Sequence, residues 1–128
     1  MSAAALRARY MGDSVATASP QQLLVMLYDR LALDLERAEN ALVAGDRAEA
    51  GSQLRHAQDI VFELRSSLRV AAWEGGPRLA ALYTWLITEL TTATVKNDRN
   101  RVASCRQIVE PLRDAWRQAA ASLAGSTS

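Results

Sequence analysis

The chain of 128 residues holds one histidine, His56, and one cysteine, Cys105. These are the side chains best suited to hold a transition metal or to act as a nucleophile near neutral pH. A structural zinc site takes four such ligands, and His56 with Cys105 would supply two at most. A di-iron carboxylate bundle needs Glu-x-x-His on two helices, but the residue three before His56 is Gln53. Haem attachment through C-x-x-C-H, a Walker loop and a G-x-S-x-G elbow are all absent. Asp59 and Glu63 form an acidic pair four apart, the usual mark of a solvated helix face. His56 is expected at the surface or boundary of its helix, and Cys105 as a small hydrophobe inside one. These residues predict a protein with no catalytic residues, no metal site and no cofactor, hence not an enzyme.

Composition narrows the class further. The formal charge is +1, from 15 basic and 14 acidic residues, so no basic stripe suits a phosphate backbone and nucleic acid is not an expected partner. No apolar run approaches the ~20 residues that span a bilayer, so no membrane insertion is expected. The first residues, MSAAALRARYMGDS, lack a signal peptide's order of charge, apolar stretch and cleavage site. One cysteine forms no intramolecular disulfide, and the expected location is a reducing compartment, the cytoplasm. Nearly half the residues are hydrophobic, with few aromatics and sparse Gly and Pro, which favours helices over sheets.

Start and stop signals then place the elements. Ser19, Pro20 and Gln22 form an S-x-x-Q capping box with proline at the first helical position. Gly45 can end that helix in the left-handed conformation, and Asp46 with Glu49 starts the next. Gly75-Gly76-Pro77 marks a second break, and Asn97-Asp98 a third. The expected fold is all-α: an antiparallel up-down-up-down four-helix bundle with helices over 19–44, 46–72, 77–97 and 98–122. A flexible N-terminal arm, 1–18, precedes it and a disordered tail, 123–128, follows it.

Apolar stripes support this division. They run through Leu24, Leu27, Leu31, Leu35, Ala38 and Leu42 in the first helix and Ala50, Leu54, Ala57, Val61, Leu64 and Leu68 in the second. In the third they run through Leu79, Leu82, Leu86, Leu90 and Ala93, and in the fourth through Val102, Cys105, Ile108, Leu112, Ala115 and Ala119. Pro111 interrupts the fourth and predicts a kink there, not a terminus.

Large side chains remain off these stripes: Leu23 and Met26, Ile60 and Phe62, Trp85 and Ile87, and Val109. Residues 23–28 are apolar without a break, more than one packed face requires. A connected apolar surplus is a groove, and its simplest guest is an amphipathic helix or extended apolar segment.

Five segments in order resemble the flagellar secretion chaperone family, FliS. TASPQQLLVMLYD (17–29) resembles TASPxxLLxMLYDG, with Tyr10 upstream and Arg30 in place of the glycine. HAQDIVFELRSSL (56–68) resembles KAQDIIxELxxSL. GGPRLAALYTWL (75–86) resembles a GG, spacer, LYxYM pattern, Asn97-Asp98 its ND, and LRDAW (112–116) its LRxxW-type ending. Trp85 replaces a usual tyrosine, Leu86 a methionine, and Thr94 an asparagine. Thr88 and Glu89 stand where arginines are frequent.

The resemblance implies a cytoplasmic export chaperone. It would bind the disordered C-terminal region of flagellin in an apolar groove, prevent premature polymerisation and aid flagellar type III secretion. The expected contact residues are Tyr10, Leu23, Met26, Leu27, Ile60, Leu64, Trp85 and Val109. Tyr10, Met11 and Val15 are expected to form an N-terminal cap over the groove. A flagellar regulator and the export gate are further expected partners, and the chain is expected as a monomer or weak homodimer. Two other readings use the same apolar faces: a regulatory adaptor sequestering a flagellar gene regulator, and a structural helical dimer.

Overall fold

The computed structural model describes residues 19–69 and 74–126, with side chains as far as Leu123. The expected arm and most of the expected contacts it would make therefore lie outside the described residues. Four helices run in order: α1 Pro20–Val43, α2 Arg47–Ser67, α3 Gly76–Lys96 and α4 Arg99–Ser126. No strand occurs among the described residues.

Each expected junction forms by the chemistry its residues carry. The Ser19 hydroxyl accepts from Gln22 N–H, and the Gln22 side chain accepts from Ser19 N–H, closing the capping box. Gly45 adopts φ 77°, while Asp46 N–H donates to Ala41 C=O and Gly45 N–H to Leu42 C=O. These paired bonds satisfy carbonyls that the end of α1 would otherwise leave open. Asp46 then accepts from Glu49 N–H and starts α2. Asn97 closes α3 at φ 54°, and Asp98 accepts from Arg101 N–H at the start of α4.

Two boundaries differ from the sequence reading. α2 stops at Ser67, short of 72: Leu68 is extended, and the Ser67 hydroxyl bonds the Leu64 carbonyl. Serines compete for backbone groups in this way and weaken a helix end. α4 runs to Ser126, beyond 122, through a stretch rich in alanine, the strongest helix former. It also continues unbroken through Pro111.

α1 packs against α2 and α4, and α3 packs against the same two, so the helices form a ring in sequence order. Inside lie Leu31 and Leu35, Leu54 and Val61, Leu86 and Leu90, and Val102 and Cys105. On α4 the stripe shifts: Val109 is buried and Trp116 packs on the core, whereas Ile108, Ala115 and Ala119 face outward. Steps of three and four are equally helical, so the sequence pattern admits either course. The structure follows 102, 105, 109, 112, 116, which keeps one face inward over four turns.

Candidate functional site

The side chains that link neighbouring helices show which seams are closed. Between α1 and α2, Asp34 is fully buried and meets His56 Nδ1, while Arg30 Nε lies 3.0 Å from its other oxygen. Between α1 and α4, Arg106 reaches Glu39 at 2.8 Å and Arg117 reaches Asp29 at 2.6 Å. Between α2 and α3, Gln58 bonds both Thr91 and Thr94. Between α3 and α4 the link is Arg101, which donates to both oxygens of Glu89 near the 97–98 turn. Those hydrogen bonds hold the Arg101 guanidinium firmly protonated, with the Glu89 charge adding to them.

The α3–α4 seam beyond that ion pair carries two of the exposed large apolar side chains. Trp85 stands one turn from Glu89 on α3, and Ile108 two turns from Arg101 on α4, each along the same edge as the paired residue. Trp85 is 40% exposed and Ile108 39%. Leu82 and Leu112 lie further along the same edges, partly buried against the core. These four side chains lie along the α3–α4 seam, with Arg101 and Glu89 at its turn end, and we call this apolar stretch the furrow.

The structure divides the expected contact set. Trp85 borders the α3–α4 furrow. Leu23 and Leu27 are half-buried and Met26 is 37% exposed, but all three lie near the start of α1. Their edge leads to Arg30 and Asp34, toward α2, on the opposite side of the ring. Ile60 and Val109 are 0% exposed and Leu64 2%, so these three are core residues, not groove residues. The reason is geometric: α2 and α4 each touch two neighbours, so the buried arc is wider than a single stripe. Phe62 is exposed on α2, where Arg65 lies 5.1 Å over its ring. Tyr10, Met11 and Val15 lie outside the described residues.

The sequence stripe places Ile108 in the core, whereas the structure leaves it 39% exposed on the edge of α4. The signal that finds it is the heptad course through Val109 and Trp116, which leaves Ile108 outside.

The polar residues also depart from expectation. Asp59 is half-buried and Glu63 buried, so that pair does not mark a solvated face. His56 is a half-buried partner of Asp34. His56→Ala removes one of the groups that hold a buried carboxylate, and is expected to cost about 3 kcal/mol. Replacing both Asp34 and His56 by leucine is expected to recover only part of that loss, because the buried carboxylate is gone but Arg30 loses its partner. Urea unfolding of the two variants checks both values.

No cluster of three or more His, Cys, Asp or Glu suited to a metal occurs among the described residues. Nor is any described helix long and apolar enough to cross a membrane. Burial pushes the Cys105 thiol up to about 12, the Glu89 charge adding to the shift and Arg101 opposing it. Burial also raises Tyr28 and Tyr83, with the hydrogen bonds from Tyr83 and Trp116 partly offsetting it at Tyr28. A group raised in the folded state stabilises fully below its unfolded value and less as pH climbs past it. Stability should therefore hold to about pH 9, then fall by as much as ~1.4 kcal/mol per pH unit for each of the three groups. Urea midpoints at pH 8 and pH 10.5 test this, and Cys105 should react with a disulfide reagent only after unfolding.

A family model described as "Flagellar protein FliS" matches residues 2–123. A Bacillus subtilis (strain 168) protein described as flagellar secretion chaperone FliS is 33% identical over 110 residues, 86% of this chain and 82% of that protein. A Salmonella typhimurium protein of the same description is 31% identical over 108 residues, 83% and 80% of the two chains. A crystal structure described as a flagellar chaperone from bacteria shares the fold, with a TM-score of 0.73 at 22% identity. It covers 90% of this chain and 94% of the other.

Proposed function

The chain belongs to the FliS family of flagellar secretion chaperones, and from that premise we propose that it captures the disordered C-terminal region of flagellin along the α3–α4 furrow. A chaperone of flagellar export and not an enzyme, it needs a surface that holds a guest reversibly and lets it go. The observation that supports this reading is that Trp85 and Ile108, both partly exposed, lie on facing edges of α3 and α4 beyond the Arg101–Glu89 ion pair. Trp85 and Ile108 lie beside the partly buried Leu82 and Leu112, so the four offer a guest a continuous apolar strip and not a lone exposed side chain.

The chemistry of capture is burial. Trp85, Ile108, Leu82 and Leu112 accept the apolar face of an amphipathic helix or an extended segment, with anchors spaced three or four apart. The ordering of a disordered guest offsets part of the gain, which keeps binding reversible. A guest of ~40–50 residues would extend ~60–75 Å as helix, enough to leave the furrow and reach Met26 and Leu23 across the bundle. Covering the segments that pack together in a filament blocks polymerisation in the cytoplasm until the guest passes to the export gate.

Calorimetry with full-length flagellin, and with flagellin lacking its C-terminal ~40–50 residues, tests the reading. Binding is expected to the first alone; equal binding to both moves the contact elsewhere. Tyr10, Met11 and Val15 are assigned to an arm that covers the same furrow and competes with the guest. Deleting residues 2–16 should then tighten binding, and a weaker fit would make the arm part of the site.

A further inference from the structure

Tyr28 enters the bundle from α1 and meets both helices that border the furrow. Its hydroxyl lies 2.7 Å from the Tyr83 hydroxyl on α3, with both groups buried. Its ring lies 6.3 Å from the Trp116 ring on α4, with the planes tilted by 48°. Tyr83 adjoins Leu82 in sequence, and Trp116 stands one turn beyond Leu112, so these contacts join the same two helices at the end of the seam away from Arg101 and Glu89. α1 and α3 are diagonal in the ring and share little other contact.

From this we propose that Tyr28 is a positioning residue that sets the width of the α3–α4 furrow. The inference rests on the reading of that furrow as the guest site. Apolar contacts alone let a helix slide or tilt by small steps, because dispersion has no strong direction. A hydrogen bond between two buried hydroxyls is directional and has no solvent alternative nearby, so it fixes where Tyr83 stands. The tilted aromatic contact does the same, more softly, for Trp116. At the other end Arg101 and Glu89 fix the spacing of the same two helices. The furrow is thus pinned at both ends, by an ion pair at one and by a tyrosine spacer at the other. A pinned furrow is pre-formed for its guest, which lowers the ordering cost of binding.

The test is a double variant, Tyr28→Phe with Tyr83→Phe. It keeps both rings and removes both hydroxyls together, so neither hydroxyl is left without the other, and only the Trp116 indole N–H loses its bond to Tyr28. Its melting temperature should stay within about 5 °C of the parent. If only about one molecule in five then holds the competent spacing, affinity for a flagellin C-terminal peptide falls about fivefold. Spin labels on Ala81→Cys and Ala115→Cys, exposed positions on the two banks, should show a broader distance distribution in the same variant. An unchanged distribution overturns the proposal, as does a broader one with unchanged peptide affinity. Should the double variant fold poorly, Tyr28→Phe alone is read by the same labels, with the same outcomes. Absence of peptide binding to the parent would sink the flagellin reading, while the label distances would still decide the spacer.

Discussion

Trp85→Glu combined with Ile108→Glu is expected to weaken flagellin binding by about 100-fold or more while the bundle stays helical. The magnitude follows from the area still open to a guest. Trp85 is 40% exposed and Ile108 39%, so covering them would bury on the order of 100 Å² and 70 Å². At ~25 cal/mol per Å² that is roughly 2.5 and 1.8 kcal/mol. Their loss together, at ~1.4 kcal/mol per tenfold, exceeds a factor of 100 even before the cost of burying two carboxylates. Calorimetry with the flagellin C-terminal segment reads the loss, and far-UV dichroism confirms the fold. Binding within about threefold of the parent would remove the furrow from the site. The same variant separates capture from self-association. A chain that dimerises through this face should become more monomeric in ultracentrifugation, with flagellin making no difference to either form.

Ile60→Glu is expected to do something different: to unfold the protein. The sequence reading places Ile60 among the expected contact residues. In the bundle it is 0% exposed and belongs to the core cluster. The substitution loses the transfer energy of a buried isoleucine, about 2–5 kcal/mol by analogy with truncation, and sets a carboxylate in apolar surroundings. Small domains have only about 5–15 kcal/mol to lose. A lost thermal transition or a much lower urea midpoint is the expected result. A variant that melts like the parent and fails only in binding would restore Ile60 to the guest surface. Loss of binding without a stability measurement would mislead, since an unfolded chaperone also captures nothing.

Local chemistry made most of the architecture legible. The Ser19 capping box, the left-handed Gly45 and Asn97, and the Asp46 and Asp98 starts each depend on residues within a few positions of one another. Such signals need no tertiary contact to be read, and they found all four helices. The resemblance in five ordered segments found the family for the same reason. Boundaries shaped by weak propensity were less legible: Ser67 ended α2 early, and the alanine-rich end of α4 carried it on.

What the sequence alone determined, then, was the four helices of the described residues, most of their ends and the inward stripes of α1 to α3, because those are properties of near neighbours along the chain. Which apolar residues stay outside was decided only by tertiary structure. Ile60 and Val109 entered the core, Ile108 left it, and Leu23 and Met26 came to the side of the ring opposite Trp85. The physical reason is that exposure depends on the width and spacing of adjacent helices. That width is fixed by contacts such as Asp34 with His56, Glu89 with Arg101 and Tyr28 with Tyr83, whose partners lie 12 to 55 positions apart.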